Sequence, residues 1–256
     1  MRRPPFRPTR RQRDVANAAT GCRSSHVAKA FTLVELMVVL AIVVILTSLL
    51  MPGLRSVRET ANRLTCGNNL RHIGLAMTSY ADDNNEYLPS SVFSKFEVKQ
   101  PSELMAVTTG GESANFEGIG RLLPRAGRYL DAPTCLFCAS HTGEHSFERY
   151  EAALNLPAGN ERAYANYHFR GDVDMNTGAR YRMTNDHDFV LVTDGLRTQS
   201  DFNHRQGLNV LFGDLAVLFH SDVDEKLRKS LPTDGDPLPS FDFYNTLWKN
   251  VADTTN

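Results

Sequence analysis

Four soft ligands sit within eleven residues of this chain, in the pattern Cys135-x2-Cys138-x2-His141-x3-His145. Zinc takes thiolate and imidazole in tetrahedral geometry, and Cys-x2-Cys is a common zinc knuckle. A finger separates its ligand pairs by a longer spacer, so four ligands in one loop would strain a shared centre. Three readings stay open: Zn2+ held by Cys135, Cys138 and His141; a small disulfide between the two cysteines in an oxidising exterior; or two free thiols. A second pattern, Asp172-x-Asp174-x-Asn176-x-Gly178, places oxygen ligands at alternate positions, as calcium loops do. Its glycine comes one residue late for an EF-hand, and the twelfth position is Met183 rather than Glu. Both Ca2+ at Asp172, Asp174 and Asn176 and a plain polar hairpin turn fit it. For catalysis there is no Gly-x-Ser-x-Gly, no His-Glu-x-x-His, and no Walker or dinucleotide glycine pattern. The chain is expected not to be an enzyme.

Glu35 is the other residue whose chemistry needs a reason. It lies in the run FTLVELMVVLAIVVILTSLLM, residues 31–51, which has no polar residue from Leu36 to Leu46. As a helix the run spans roughly 30 Å, the thickness of a bilayer's hydrocarbon core. A buried core helix of that length would show a polar stripe. A carboxylate near the membrane interior costs about 2.5–3.5 kcal/mol, so Glu35 either has a partner or lies close enough to the surface to snorkel. An ordinary secretory signal is cut after its apolar stretch, and no small-x-small site follows this one. Charge is asymmetric about the run. Residues 1–30 hold eight of the 28 Lys and Arg and one of the 29 Asp and Glu, so the remainder stands at −8. A basic head before an apolar run and an acidic body fits a positive-inside topology. A basic arm binding nucleic acid is the competing reading of the head, and the apolar run sets it aside.

Beyond the run, apolar residues recur at Leu54, Val57, Ala61 and Leu64, then at Cys66, Leu70, Ile73, Met77 and Tyr80. Steps of three and four predict one helical face. Gly67-Asn68-Asn69 shifts its phase, and Asp82-Asp83-Asn84-Asn85 ends it. From Phe31 to Tyr80 such a helix is roughly 75 Å long, with Pro52 removing one backbone donor as it leaves the membrane. Residues 90–130 read as loops with a short helix near Ile119–Leu130. Phe189–Thr193 reads as a buried strand closed by an Asp194-Gly195 turn. Two further apolar strands flank Gly213-Asp214, read as a two-residue type II′ hairpin turn. The aromatic tail, with Phe241, Phe243, Tyr244, Leu247 and Trp248, is expected to pack back on the domain.

Lys29-Ala30 followed by Phe-Thr-Leu-Val-Glu closely resembles the type IV prepilin signature. The resemblance implies cutting between Ala30 and Phe31 by an aspartyl prepilin peptidase, methylation of the new amine, and retention of the apolar segment as an assembly helix. The family usually has Gly before the cut; Ala30 is small enough for processing to be expected. In pilins the Glu at the fifth mature position, here Glu35, meets a neighbouring subunit's N-terminal amine and sets axial register. Cys66, Asn69-Leu70-Arg71, Ile73-Gly74-Leu75-Ala76, Tyr80 and Leu88-Pro89 narrow the resemblance to pseudopilin-like proteins with a C-terminal His-x9-Asp-Gly motif. His204 and Asp214 match that spacing, but Leu215 stands where the motif has Gly. Two readings of this pair remain: a binding or partner site near one end of the hairpin, or a turn-shaping Asp and a loop-bonding His. Calcium binds some type II secretion pseudopilins, which adds weight to the Asp172 loop. With the leader removed three cysteines remain, and one local pair plus one free thiol is the simplest arrangement.

The expected fold is α+β, a long N-terminal helix packed on a small antiparallel sheet. The expected parts are a leader (1–30), a transmembrane and assembly helix (31–52), its amphipathic continuation (53–82) and an exported globular domain (83–256). The resemblance implies a structural subunit of a type II secretion or type IV pilus-like assembly. Sister pilin-like subunits, the prepilin peptidase and an inner-membrane platform would be its partners. It would be single-pass in the inner membrane, with a cytoplasmic N-terminus and a periplasmic domain. The rival is a membrane-anchored exported binding module that uses the calcium or zinc loop.

Overall fold

The computed structural model describes residues 31–91, 104–110, 115–156, 162–174, 176–237 and 239–255. Two compact units divide the chain, Met1–Leu50 and Met51–Asn256. Helix α1 (Leu33–Asp83) begins in the first and ends in the second, and runs without a break through Gly67-Asn68-Asn69. In the first unit every described side chain is exposed, from Phe31 to Leu50. This stretch carries the chain's one candidate membrane span among the described residues, with mean hydropathy 2.9.

In the second unit α1 ends where the acidic and amide residues predicted it. Asn85 and Glu86 turn into left-handed backbone (φ 56° and 67°), and the Glu86 N–H donates to the Ala81 carbonyl at 2.8 Å. Short 3-10 turns follow at Gly118–Leu122 and Pro133–Leu136, the first overlapping only the start of the stretch read as a short helix. Helix α2 (Phe147–Asn155) is capped by Ser146, whose hydroxyl accepts from the Arg149 N–H. The sheet is β1 (Tyr167–Phe169), β2 (Val190–Asp194), β3 (Gly207–Phe212) and β4 (Val217–Ser221), in that order and antiparallel throughout. Helices α3 (Lys226–Ser230) and α4 (Phe241–Thr255) complete the chain. The architecture is the α+β arrangement expected, a long N-terminal helix with a small antiparallel sheet.

Strand β3 explains how the unit is layered. All six of its residues are buried, as in a strand covered on both faces. Leu208, Val210 and Phe212 join Tyr244, Leu247, Trp248 and Val251 of α4 in one core. Leu211 joins Leu70, Ile73 and Met77 of α1 in the other. Period two thus sends alternate side chains to the two helices. The tail packs back on the domain through its aromatics, as its composition predicted. In β2 the register slips between Val190 and Val192, a bulge that puts Leu191 and Val192 together on the α1 side.

The helical face is half of what its periodicity implied. Cys66, Leu70, Ile73 and Met77 are fully buried, but Leu54, Val57 and Leu64 are 64%, 67% and 64% exposed. The two rows point to different sides of α1, and the sheet covers only the second. Close approach there is eased by glycine. A Cβ on Gly74 would stand 3.0 Å from Leu215 Cδ2 and 3.1 Å from Leu211 Cδ1.

The β3–β4 connection also differs from the expected two-residue turn. It spans Gly213 to Ala216, with the Phe212 N–H donating to the Ala216 carbonyl and Leu215 in left-handed backbone at φ 67°. The strained position falls on the residue where the resembled motif has Gly, so the glycine that would relieve it is absent.

Candidate functional site

Three regions hold the chemistry-bearing side chains. The first is the start of α1. The Thr32 N–H and hydroxyl both donate to Glu35 Oε2 at 2.9 Å, while the Glu35 N–H donates to Thr32 Oγ1 at 3.2 Å. These reciprocal bonds are a capping box: each side chain satisfies an amide that the first helical turn leaves without an intrahelical acceptor. Glu35 is therefore held locally, at the end of a helix whose N-terminal partial charge favours an anion. Phe31 is exposed beside it; Ala30 lies outside the described residues.

The second region is a buried polar junction between α1 and the end of β2 and β3. Period two places Asp194 and Asn209 on the α1 side, beyond the apolar Val192 and Leu211. Asp194 is fully buried, and burial raises its carboxyl pKa above the ordinary value against the pull of His204 and Asn209. The Asn209 amide side chain donates to Asp194 Oδ2 at 3.0 Å and to the Arg63 carbonyl at 3.3 Å. His204, 1% exposed, sits between two acids. Its Nδ1 donates to Glu59 Oε1 at 2.7 Å, and its Nε2 stands 3.7 Å from Asp194 Oδ2. Glu59 Oε2 also accepts from Ser140 Oγ at 2.7 Å. Beside this network Cys66 of α1 is bonded to Cys138, with 5.4 Å between their Cα atoms. His204 Nε2 is 3.5 Å from Cys138 Sγ. Helix, loop and the turn before β3 are thus clamped at one point by a covalent bond and a partly buried hydrogen bond.

This geometry corrects several expectations. The disulfide is not local: Cys138 pairs across 72 residues and leaves Cys135 as the free thiol among the described residues. With its sulfur so bonded, Cys138 is not a thiolate that could share Zn2+ with Cys135 and His141. His141 Nδ1 lies 2.9 Å from Asn203 Oδ1 instead, and His145 is held by Tyr150, with Nδ1 2.8 Å from the phenol oxygen. Burial first, then the Arg197 charge, pushes the His145 pKa down to about 4. His204 and Asp214 do not meet either. They lie before and after β3, and Asp214 shapes the turn by accepting the Ala216 N–H at 2.9 Å. Asp194, expected in a turn, is the last residue of β2.

The third region is the loop after β1. Asp172 Oδ1 accepts from the Ser91 N–H at 2.9 Å and its hydroxyl at 2.6 Å, while Oδ2 is 3.5 Å from the Arg180 guanidinium. Asp174 Oδ1 caps the turn by accepting the N–H groups of Asn176 and Thr177. Gly178 supplies the left-handed residue at φ 72°. Both carboxylates are engaged within the chain, and one is paired with a cation, the arrangement of a polar turn.

The functional partners that sequence reading missed are Glu59 and Asp194. Their only signal was indirect: one acid amid the arginines of α1, and one closing a strand that begins with three apolar residues. A model of the prokaryotic N-terminal methylation motif matches residues 26–51, and a model described as a protein of unknown function, DUF1559, matches residues 55–106. No curated protein and no solved structure matches the chain.

Proposed function

We propose that this chain, a prepilin-type protein of the pseudopilin-like family, is a structural subunit of a pseudopilus or type IV pilus-like assembly rather than an enzyme. A prepilin peptidase cuts it between Ala30 and Phe31, and the new amine is methylated. Residues 31–51 then hold it in the inner membrane with the domain outside. Sister subunits and an assembly platform are its partners. The observation that carries this reading is the apolar part of α1: every side chain from Phe31 to Leu50 is exposed within the chain, directly after the matched motif. Such a surface needs lipid or other helices around it.

Glu35 supports the same reading. Its carboxylate is satisfied by Thr32 while the subunit stands alone, and that bond is weak enough to exchange for a neighbour's N-terminal ammonium, a charge-assisted partner. The outward row Leu54, Val57 and Leu64 extends the surface available to sister helices. The Cys66–Cys138 disulfide is in keeping with an oxidising compartment for the domain.

The test uses Leu54→Cys in a Cys135→Ser background, expressed in the native cell. Cross-links between copies are expected from membranes and sheared fibres, and Glu35→Ala should abolish them while the protein stays membrane-bound. Undiminished cross-linking with Glu35→Ala would remove Glu35 from the account. No cross-linking in either background would remove assembly itself.

A further inference from the structure

The cysteine pair and the histidine beside it put three metal-ligating side chains at one buried point, where opening the S–S bond lets two thiolates separate around an ion. The sulfurs of Cys66 and Cys138 and a nitrogen of His204 lie within 4.8 Å of one another, and all three residues are buried. In a tetrahedral zinc site, bonds of about 2.3 Å to sulfur and 2.0–2.1 Å to nitrogen put sulfur and nitrogen ligands about 3.6 Å apart. Cys138 Sγ and His204 Nε2 are 3.5 Å apart. The orientation of the imidazole is also set. A carboxylate only accepts, so the 2.7 Å bond to Glu59 places the ring proton on Nδ1 and leaves the Nε2 lone pair facing the sulfurs. A carboxylate behind the far nitrogen is the usual support of a metal-bound histidine. Asp194 Oδ2 stands 3.7 Å from the same Nε2, on the ligand side of the ring.

We propose that the reduced chain binds one Zn2+ through Cys66, Cys138 and His204, so that this position holds either a disulfide or a metal ion. Asp194 accepts a hydrogen bond from the water that supplies the fourth ligand. A dithiol reductant delivers two electrons to the Cys66–Cys138 bond, becoming a disulfide itself, and two thiols form. Zn2+ then displaces their two protons. The two thiolates balance its charge, so a buried, net-neutral centre replaces the covalent bond. Either form ties α1 to the loop after the Pro133–Leu136 turn and to the start of β3, and the domain keeps the same clamp in a reducing and in an oxidising compartment. This site differs from the Cys135, Cys138 and His141 set that the sequence offered: it takes one cysteine from α1 and its histidine from the turn before β3.

The test is a cobalt titration of the full chain in detergent, reduced with a phosphine and desalted without oxygen. One equivalent of Co2+ is expected to bind, with thiolate-to-cobalt charge-transfer and tetrahedral d–d bands, and one equivalent of Zn2+ should displace it. The oxidised chain should show no bands. Cys135→Ser should keep them in full, Cys66→Ser should lose them, and Glu59→Ala should weaken binding roughly 10- to 100-fold. Near-ultraviolet circular dichroism of Trp248 follows the fold. The proposal is overturned if the reduced chain takes up no cobalt, if the bands require Cys135, or if they arise only from chain that has lost the Trp248 signal.

Discussion

One helix, α1, carries two stretches with opposite relations to the rest of the chain. From Leu33 to Leu50 its side chains are apolar on every side and exposed, and its single carboxylate is bonded to a residue three positions away. From Glu59 to Ala81 it is amphipathic, and one face is buried against β1–β3 and their loops. Its polar contacts there reach 68 to 146 residues along the chain, through Asn69, Glu59 and Arg63. The first stretch is complete as a helix and incomplete as a surface. The second is satisfied by its own chain. On the proposed function, folding and assembly are separated along one element: changes in the second stretch should act on stability, and changes in the first on membrane residence and association.

The largest effect expected from this division is at the clamp. Cys66→Ser opens a loop of 72 residues and should cost about 4 kcal/mol of domain stability in urea titrations of the oxidised protein, while Cys135→Ser should cost almost nothing. Next comes a matched pair of truncations. Ile73 is fully buried and Ile42 is 51% exposed. Ile73→Ala should cost about 3 kcal/mol, and Ile42→Ala should leave the domain's melting within about 0.5 kcal/mol of the parent. Equal losses from both would show that the apolar stretch also stabilises the domain. Glu59→Ala leaves a buried histidine with one partner fewer and should cost about 1–2 kcal/mol.

The smallest effect is one of pH. The unfolded chain protonates His145 near pH 6.5, whereas the folded chain resists protonation until about pH 4. Folded pKa below unfolded pKa means that stability falls as pH drops through that window and levels off beneath it. His145→Gln should lose this component, so its deficit relative to the parent should shrink by roughly 1 kcal/mol between pH 7 and pH 4. A constant deficit across that range would show that His145 is not held neutral.

Much of this division was legible in the residues. The apolar run, its lone acid, the buried row from Cys66 to Met77, the β2 core and the returning aromatic tail are local patterns. Local patterns survive without knowledge of partners. Leu54, Val57 and Leu64 show the limit: periodicity defines a stripe but not what covers it, and here the domain does not. The Cys66–Cys138 bond, and the meeting of Glu59 with His204 across 145 residues, depend on how helix and sheet come together. The Cys135-x2-Cys138 spacing drew attention to the wrong pair because nearness in sequence is visible and nearness in space is not. At Leu215 the backbone takes the left-handed form a glycine would favour, although no glycine marks it.

On the proposed function, the apolar stretch is exposed in the chain because it is processed and assembled as a pilin segment. Intact mass and N-terminal sequencing of the protein from membranes of its native cell test it most directly. The expected chain begins at N-methylated Phe31. A chain that still begins near Met1 would contradict it and leave a signal-anchored protein whose helix has no partner but lipid.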